Sequence, residues 1–164
     1  MYHELMSGAT DSPLRVLVVE DNPVIMDLFG VAVERLQQEQ QGGGGGPMQQ
    51  ALAPAGPLEA GATLPELEIH EAADGSEAFQ MVSELAFDLV VTDLYVPVLS
   101  GLELIRRIRE MPERAATRIL AISASIQDAR SESLAAGADW FLQKPLRLVD
   151  LLDALRWLLK LKQP

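Results

Sequence analysis

The stretch Leu89-Val90-Val91-Thr92-Asp93 decides how this chain is expected to fold. Apolar residues that favour β-structure run into a threonine without polar alternation, and a single carboxylate follows where the chain must turn. Such a run is typical of a strand that is buried on both faces, as in a parallel sheet covered by helices. Ligands of these sheets bind beyond the carboxyl ends of the strands. Asp93 therefore stands at a position where we expect chemistry.

Three further apolar runs end in the same way, on residues that can carry chemistry. The runs and the residues that follow them are 16–19 with Glu20 and Asp21, 119–122 with Ser123, and 140–143 with Lys144. Parallel strands bring their carboxyl ends to one edge of the sheet. We therefore predict that three acids, one hydroxyl and one amine converge at that edge.

The remaining patterns predict a three-layer α/β domain with a doubly wound, five-stranded parallel sheet. The predicted strands are 14–19, 67–72, 89–93, 119–122 and 140–143, and the predicted helices are 23–41, 76–85, 101–110, 127–136 and 146–161. Strands that alternate with helices favour a sheet with helices on both faces. A closed barrel would need eight such units and a much longer chain.

Two segments do not fit the alternation. Residues 1–13 are polar and aperiodic, and we predict that they form a flexible tail. Residues 42–65 hold five consecutive glycines followed by prolines and alanines, a composition that cannot bury enough surface to offset its ordering entropy. We predict one domain over 14–162 with a flexible insertion at 42–65, because neither flank of the insertion is complete without the other.

The composition argues against several classes of protein. A net charge of -11 disfavours direct binding to nucleic acid, since phosphate backbones attract Lys and Arg. The absence of cysteine excludes a disulfide framework, a thiolate zinc site and a cysteine nucleophile. No apolar stretch approaches the length of a membrane span, and residues 1–13 lack the pattern of a signal peptide. We expect a soluble cytoplasmic protein with no membrane partner.

The acids at the predicted sheet edge, Glu20, Asp21 and Asp93, would repel one another unless a cation offset their charge. Mg²⁺ commonly takes one or two carboxylates, several waters and phosphate oxygens. The amine of Lys144 and the hydroxyl of Ser123 would offer donors to a phosphoryl group in the same cleft. Because a carboxylate can itself be the nucleophile and form an acyl phosphate, the residues predict Mg²⁺-dependent phosphoryl transfer onto an aspartate.

Four motifs in this order resemble the receiver domain of two-component response regulators, in the manner of a stand-alone chemotaxis regulator. The motifs are Val19-Glu20-Asp21-Asn22, Asp93 with Pro97 and Gly101, Ser123-Ala124, and Gly137-Ala138-Asp139-Trp140-Phe141-Leu142-Gln143-Lys144-Pro145. The resemblance covers residue 14 to about 161, apart from the glycine-rich segment. It implies a flavodoxin-like strand order 2-1-3-4-5 and a cis peptide bond between Lys144 and Pro145.

The resemblance also implies a role for each site residue. Asp93 is the phosphoacceptor, supplied by a histidine kinase or a phosphotransfer protein, and Lys144 and Ser123 contact the phosphoryl oxygens. The implied Mg²⁺ ligands are Asp21, Asp93 and the backbone carbonyl of Tyr95, with Glu20 assisting through water. Ser123 and Phe141 are the implied switch residues. The expected activity is self-catalysed phosphoryl acceptance and slow autodephosphorylation, and the chain is otherwise no enzyme.

Two other functions stay open at this stage. A phosphatase of the haloacid-dehalogenase type also uses an aspartate, Mg²⁺, a hydroxyl and a lysine, but its second acid lies two residues after the nucleophile, where this chain has Tyr95. A binding module that acts without phosphorylation would not need Asp21, Asp93 and Lys144 intact. The sequence favours the phosphorylated switch over both.

The last predicted helix indicates where a signal leaves. On a helical wheel Trp157 falls on the side opposite to a stripe of leucines, with Leu161 one turn on. The stripe consists of Leu148, Leu151, Leu152, Leu155 and Leu159. An exposed tryptophan is a favoured interface anchor. Because the chain ends three residues after Leu161, we expect output through a downstream partner or a homodimer anchored by Trp157 and Leu161. The alternative is that the last turns of the helix are frayed, or that Trp157 folds over the amino-terminal tail.

Overall fold

The computed structural model describes residues 12–41, 65–125 and 127–160, in which strands and helices alternate from β1 to α5. The strands are Leu14–Val19 (β1), Leu67–Ala72 (β2), Leu89–Asp93 (β3), Arg118–Ser123 (β4) and Trp140–Gln143 (β5); the helices are Pro23–Gln41 (α1), Gly75–Glu84 (α2), Gly101–Glu110 (α3), Ala129–Ala136 (α4) and Leu148–Lys160 (α5). The predicted elements are all present, with helix ends shifted by one or two residues.

The strands form one parallel sheet in the order β2-β1-β3-β4-β5, which confirms the predicted architecture. From β1 the chain proceeds outward to β2, then returns to β3 and builds towards β5 on the other side. In the register of β1 and β3, Val19 lies opposite Thr92. The next residues along the chain, Glu20 after Val19 and Asp93 after Thr92, are therefore neighbours at the point where the winding reverses. Clefts form at this point in such sheets.

Two apolar layers cover the faces of the sheet. One joins α1 and α5 to the sheet, and the other joins it to α2, α3 and α4. All five residues of β3 are buried, as its unbroken apolar run predicts. In the predicted leucine stripe of α5, Leu148 is half-buried against the core. The other four members are buried as predicted: Leu151, Leu152, Leu155 and Leu159.

Helix α1 forms as predicted, but two residues of its apolar spacing do not face the core. Val24 and Val31 are exposed, whereas Phe29, Ala32 and Leu36 are buried. The apolar positions of α1 wrap around more than one face, so helical spacing alone did not identify the buried side.

Most of the predicted flexible tail, residues 42–64 of the predicted insertion, and Leu161 lie outside the described residues. Within the residues that are described, no helix is both long and apolar enough to cross a membrane. The peptide bond between Lys144 and Pro145 is cis, which confirms the prediction.

Candidate functional site

Asp93 ends the central strand β3 and is only 7% exposed. One of its carboxylate oxygens, Oδ1, accepts a hydrogen bond from the backbone N–H of Tyr95 at 2.8 Å. The other, Oδ2, accepts a short hydrogen bond from Nζ of Lys144. Both oxygens are thus held by donors, one from the following loop and one from the far end of β5.

Glu20 follows β1 and is similarly buried. Its Oε1 accepts from the backbone N–H groups of Asp21 at 3.1 Å and Asn22 at 3.0 Å. Its Oε2 accepts from Nζ of Lys144 at 2.9 Å. The three side chains, hereafter the Lys144 cluster (Glu20, Asp93 and Lys144), lie at the carboxyl ends of three different strands and meet at the predicted edge.

The Lys144 cluster contains more negative charge than positive charge. Burial raises the pKa of Glu20, and the nearby charge of Asp93 adds to this, although Lys144 and the Asn22 amide oppose it. Burial acts to lower the pKa of Lys144, but its hydrogen bonds to Asp93 and Glu20 more than offset this effect, so its pKa is raised. One amine therefore holds two carboxylates in a site that is largely shielded from water.

The donor set of this edge suits Mg²⁺, although the side chains do not form a ready-made cage. In the described part of the chain, no group of three or more His, Cys, Asp or Glu side chains is arranged to hold a metal ion. Glu20 and Asp93 are engaged by Lys144, and Asp21 is exposed. Because Mg²⁺ usually keeps several waters and takes only one or two carboxylates, Asp21 and Asp93 with the Tyr95 carbonyl would suffice for it.

The predicted switch residues lie on the strands next to this edge. Ser123 ends β4 and is fully buried, and its Oγ accepts from the backbone N–H of Ser125 at 3.1 Å. Phe141 is half-buried in β5 and lies opposite Ala121 in the strand register. Ser123 is one strand away from Asp93, since Asp93 pairs with Ile122 in the sheet.

Two glycines that the sequence did not single out for packing hold the loop after Asp93 in place. A Cβ on Gly101 would lie 2.2 Å from the carbonyl oxygen of Asp93, and a Cβ on Gly75 would lie 1.8 Å from that of Leu99. Only glycine allows such close approaches of two backbones. The signal for Gly101 was its place in the phosphoacceptor motif. Gly75 belongs to an Asp-Gly turn signal after β2, which does not reveal its close contact with Leu99.

An apolar groove lies beside the Lys144 cluster and was also missed from the sequence. It has a volume of about 670 Å³ and is formed by α1 and the segment that links β5 to α5. The lining includes Val24, Leu28 and Val31 with Lys144 and Pro145. The exposed valines of α1 could have indicated the groove, because α1 has more apolar residues than a single buried face requires.

Trp157 is 42% exposed, in agreement with the helical-wheel prediction, but it does not stand by itself. Its ring lies 4.9 Å from that of Trp140, centroid to centroid, with the planes tilted by 42°. Trp140 is 39% exposed, so the two rings form one apolar patch across β5 and α5. The sequence did not predict this contact, because the two tryptophans are far apart along the chain.

Comparison with known protein families gives a match for most of the domain. A family model described as the response regulator receiver domain matches residues 58–156. The transcriptional regulatory protein TrcR of Mycobacterium tuberculosis is 30% identical over 152 residues, which cover 93% of this chain and 48% of TrcR. The chain thus spans about half the length of the curated relatives it matches.

Solved structures agree on the fold. The receiver domain of the sensor histidine kinase PA1611 from Pseudomonas aeruginosa, described with a magnesium ion coordinated in its active site cleft, has a TM-score of 0.66 at 23% identity and covers 91% of this chain and 99% of that one. The chemotaxis protein CheY4 of Vibrio cholerae has a TM-score of 0.63 at 24% identity, with coverage of 90% and 99%.

Proposed function

Because this chain belongs to the response regulator receiver domain family of two-component signalling, we propose that it is a phosphorylation-controlled signalling switch. Asp93 accepts a phosphoryl group from a histidine kinase or a phosphotransfer protein, and the modified domain signals through a partner or an oligomer. The observation that carries the proposal is the Lys144 cluster. The buried carboxylate of Asp93, at the sheet edge where the winding reverses, is hydrogen-bonded to the amine of Lys144, which also binds Glu20.

The transfer forms one bond and breaks another. A carboxylate oxygen of Asp93 attacks phosphorus, and the phosphorus–nitrogen bond of the donor's phosphohistidine breaks, its electron pair going to the imidazole. Mg²⁺ held by Asp21, Asp93 and the Tyr95 carbonyl, with Glu20 acting through water, would offset the charge of the phosphoryl oxygens. Once the attacking oxygen has lost its charge, the Lys144 amine donates to a phosphoryl oxygen.

In this proposal, Ser123 and Phe141 transmit the structural change that phosphorylation of Asp93 causes. The Ser123 hydroxyl accepts from Ser125 at the start of the loop between β4 and α4. When the hydroxyl turns towards a phosphoryl oxygen, it gives up this bond and releases the loop. Phe141, half-buried on the neighbouring strand, then repacks in the space that opens.

The signal leaves, we suggest, through the tryptophan patch of Trp140 and Trp157, which binds a downstream protein or a second copy of the chain. An exposed apolar patch built from two indoles is costly for a monomer and is a favoured interface anchor. Light scattering of wild type and Trp157→Ala, with and without beryllofluoride as a phosphoryl mimic, tests the homodimer. A wild type that stays monomeric in both states removes it and leaves the partner protein.

The two rival functions lack a supporting observation. A haloacid-dehalogenase-type phosphatase needs a second acid where Tyr95 stands, and the Tyr95 side chain points into solvent at 69% exposure. A module that binds without phosphorylation gives no reason for two buried carboxylates around one lysine. Retention of all partner binding in Asp93→Asn would favour that module.

Mass spectrometry after incubation with acetyl phosphate and Mg²⁺ tests the proposed function. We expect one added phosphoryl group, and borohydride reduction followed by peptide mapping should locate the acyl phosphate at Asp93. Asp93→Asn should stay unmodified, whereas Asp153→Asn, which changes an exposed carboxylate of α5, should label like wild type. An unmodified wild type, or equal labelling of Asp93→Asn, would overturn the proposal.

A further inference from the structure

The loop between β3 and α3 contains a strained turn centred on Val98. The φ angle of Val98 is +69°, and the backbone N–H of Leu99 donates to the carbonyl of Pro97 at 2.8 Å. A hydrogen bond between residues two apart around a positive φ defines the rarer and more strained of the two γ-turns. A β-branched residue in this region is an outlier, because its Cβ meets the backbone.

The surrounding backbone imposes this turn on whichever residue occupies position 98. The Pro97 carbonyl accepts a second hydrogen bond from the N–H of Gly75 at 3.2 Å, and Gly75 also presses directly against Leu99. Downstream, the N–H of Gly101 donates to the carbonyl of Leu94 at 3.1 Å. With both ends of the loop fixed, a glycine at position 98 would adopt the same path without strain.

The side chain of Val98 contributes no packing that would offset this strain. Val98 is 84% exposed, the highest exposure among the large apolar residues that the structure describes. Tyr95, in the same loop, is 69% exposed. Strain at a single residue is a reason to look for function. An apolar side chain held at a backbone cost, with no internal contact that buries it, is explained by contact with another molecule.

We propose that Val98 is a contact residue for the protein that phosphorylates Asp93 and helps to determine which donor is accepted. This inference rests on the proposed function. The loop of Val98 starts at Asp93, so a donor that brings its phosphohistidine to this carboxylate must cover the segments that leave the same edge of the sheet. Val24, which is 71% exposed in the segment after β1, presents an apolar side chain in another of these segments.

A protein donor and a small donor should therefore respond differently to the Val98 side chain. Acetyl phosphate reaches Asp93 without touching the rim of the site, whereas a protein donor buries the rim. A minority of interface residues carry most of the binding energy, and truncation of one of them reduces affinity about fivefold or more. We place Val98 among these residues. The loss should appear as a higher KM for the phosphorylated kinase, with little change in the maximal rate.

The experiment compares Val98→Gly and Val98→Asn with wild type, using both donor types. The protein donor is taken from a panel of purified, autophosphorylated histidine kinase domains, as the one that transfers fastest to wild type. We expect both variants to label with acetyl phosphate within about twofold of wild type and to lose about fivefold or more in kcat/KM with the kinase. Val98→Gly should also unfold about 3 °C higher, because the strain is relieved.

Leu85→Asn is the matched control, since it removes an exposed apolar residue at the end of α2, with an ordinary φ of −122°. It should leave both donors unaffected. Unchanged kinase transfer in both Val98 variants would overturn the inference, as would an equal loss with both donors, which would place the effect at Asp93 itself. A wild type that acetyl phosphate labels but no kinase of the panel does would also overturn it. Failure of acetyl phosphate labelling in wild type would instead overturn the proposed function.

Discussion

Two ion-paired clusters lie at opposite edges of the same sheet and are built in different ways. At the carboxyl edge, the Lys144 cluster joins one amine to two carboxylates. At the amino edge, Asp139, the residue before β5, pairs with Arg109 of α3 at 3.0 Å and with Arg118 of β4 at 3.6 Å. Both clusters are largely buried, but the carboxyl edge has two acids for one cation and the amino edge has two cations for one acid. Their use of hydrogen-bond donors also differs.

The amino-edge cluster is closed, because each donor that the structure assigns to Arg109 has an acceptor. Besides Asp139, the guanidinium donates to the carbonyls of Gly137 at 2.9 Å, Ala115 at 2.9 Å and Thr117 at 2.7 Å. Asp139 also accepts from the backbone N–H of Ile119 at 2.8 Å. A cation that ties α3 to the starts of β4 and β5 in this way serves the fold.

The carboxyl-edge cluster is open by comparison. Its two acids share one amine, and burial raises the pKa of Glu20 rather than allowing it to ionise easily. Buried like charges are costly, and an arriving cation relieves them. The difference teaches that buried ion pairs in one domain can have separate purposes: Arg109 and its acceptors stabilise the fold, whereas the excess of acid around Lys144 is where the proposed function places a metal ion and a phosphoryl group.

Among three ion-paired clusters, those of Lys144, Arg109 and Glu68, substitution of the amine in the open cluster should have the largest effect, and this effect should be on labelling. Lys144→Met removes the donor to the phosphoryl oxygens, so labelling by acetyl phosphate with Mg²⁺ should fall about a hundredfold. The two carboxylates then face each other, and stability should fall by only about 1 kcal/mol, because one of them can take up a proton. Labelling within about twofold of wild type would contradict the functional assignment of the open cluster.

Substitution of the cation in the closed cluster should have the opposite profile. Arg109→Met removes one of the two arginines that pair with Asp139 and leaves three carbonyls without the donor that Arg109 supplies, so the free energy of unfolding should fall by about 3 kcal/mol. Urea unfolding measures this loss, and labelling corrected for the folded fraction should stay near that of wild type. If Arg109→Met loses labelling while it keeps its stability, the division between the two edges is wrong.

The sequence predicted the open cluster better than the closed one, for a physical reason. Asp93, Lys144 and Glu20 each follow a local apolar run, and the rule that parallel strands end together brought them to one edge. The partners of Arg109 are carbonyls and a carboxylate from distant turns, and no spacing along the chain announces such contacts. Backbone carbonyls carry no residue identity, so the sequence could not show that Arg109 would reach them.

Local sequence patterns also failed to predict features for which the same pattern is compatible with more than one structure. The apolar positions of α1 cover several faces, so Val24 and Val31 could not be separated from Phe29 before the packing was known. The γ-turn at Val98 was invisible because a valine gives no turn signal, and the turn is imposed by the neighbouring Gly75 loop. Such features depend on tertiary contacts that override local preference.

The smallest expected effect on stability belongs to a third ion-paired group, on the exposed edge strand β2. It gives a baseline against which the stability losses at the two buried clusters can be compared. Its Glu68 accepts from His70 at 2.7 Å and lies 3.4 Å from Arg15, and the His70 hydrogen bond, followed by that of Arg15, lowers the pKa of Glu68 below 4.5. A carboxyl whose pKa is lower in the folded state stabilises above its ordinary pKa and loses this contribution as pH falls through the folded value.

Wild type should therefore be slightly more stable than Glu68→Gln at pH 6, and the gap should close by pH 3. Urea unfolding at both pH values measures the gap, which solvent screening keeps smaller than the losses expected at either buried cluster. Added salt should shrink the gap at pH 6, because screening weakens exposed pairs. A gap that is equal at both pH values would show that Glu68 acts through packing and not through its charge, and would remove the exposed pair as a baseline.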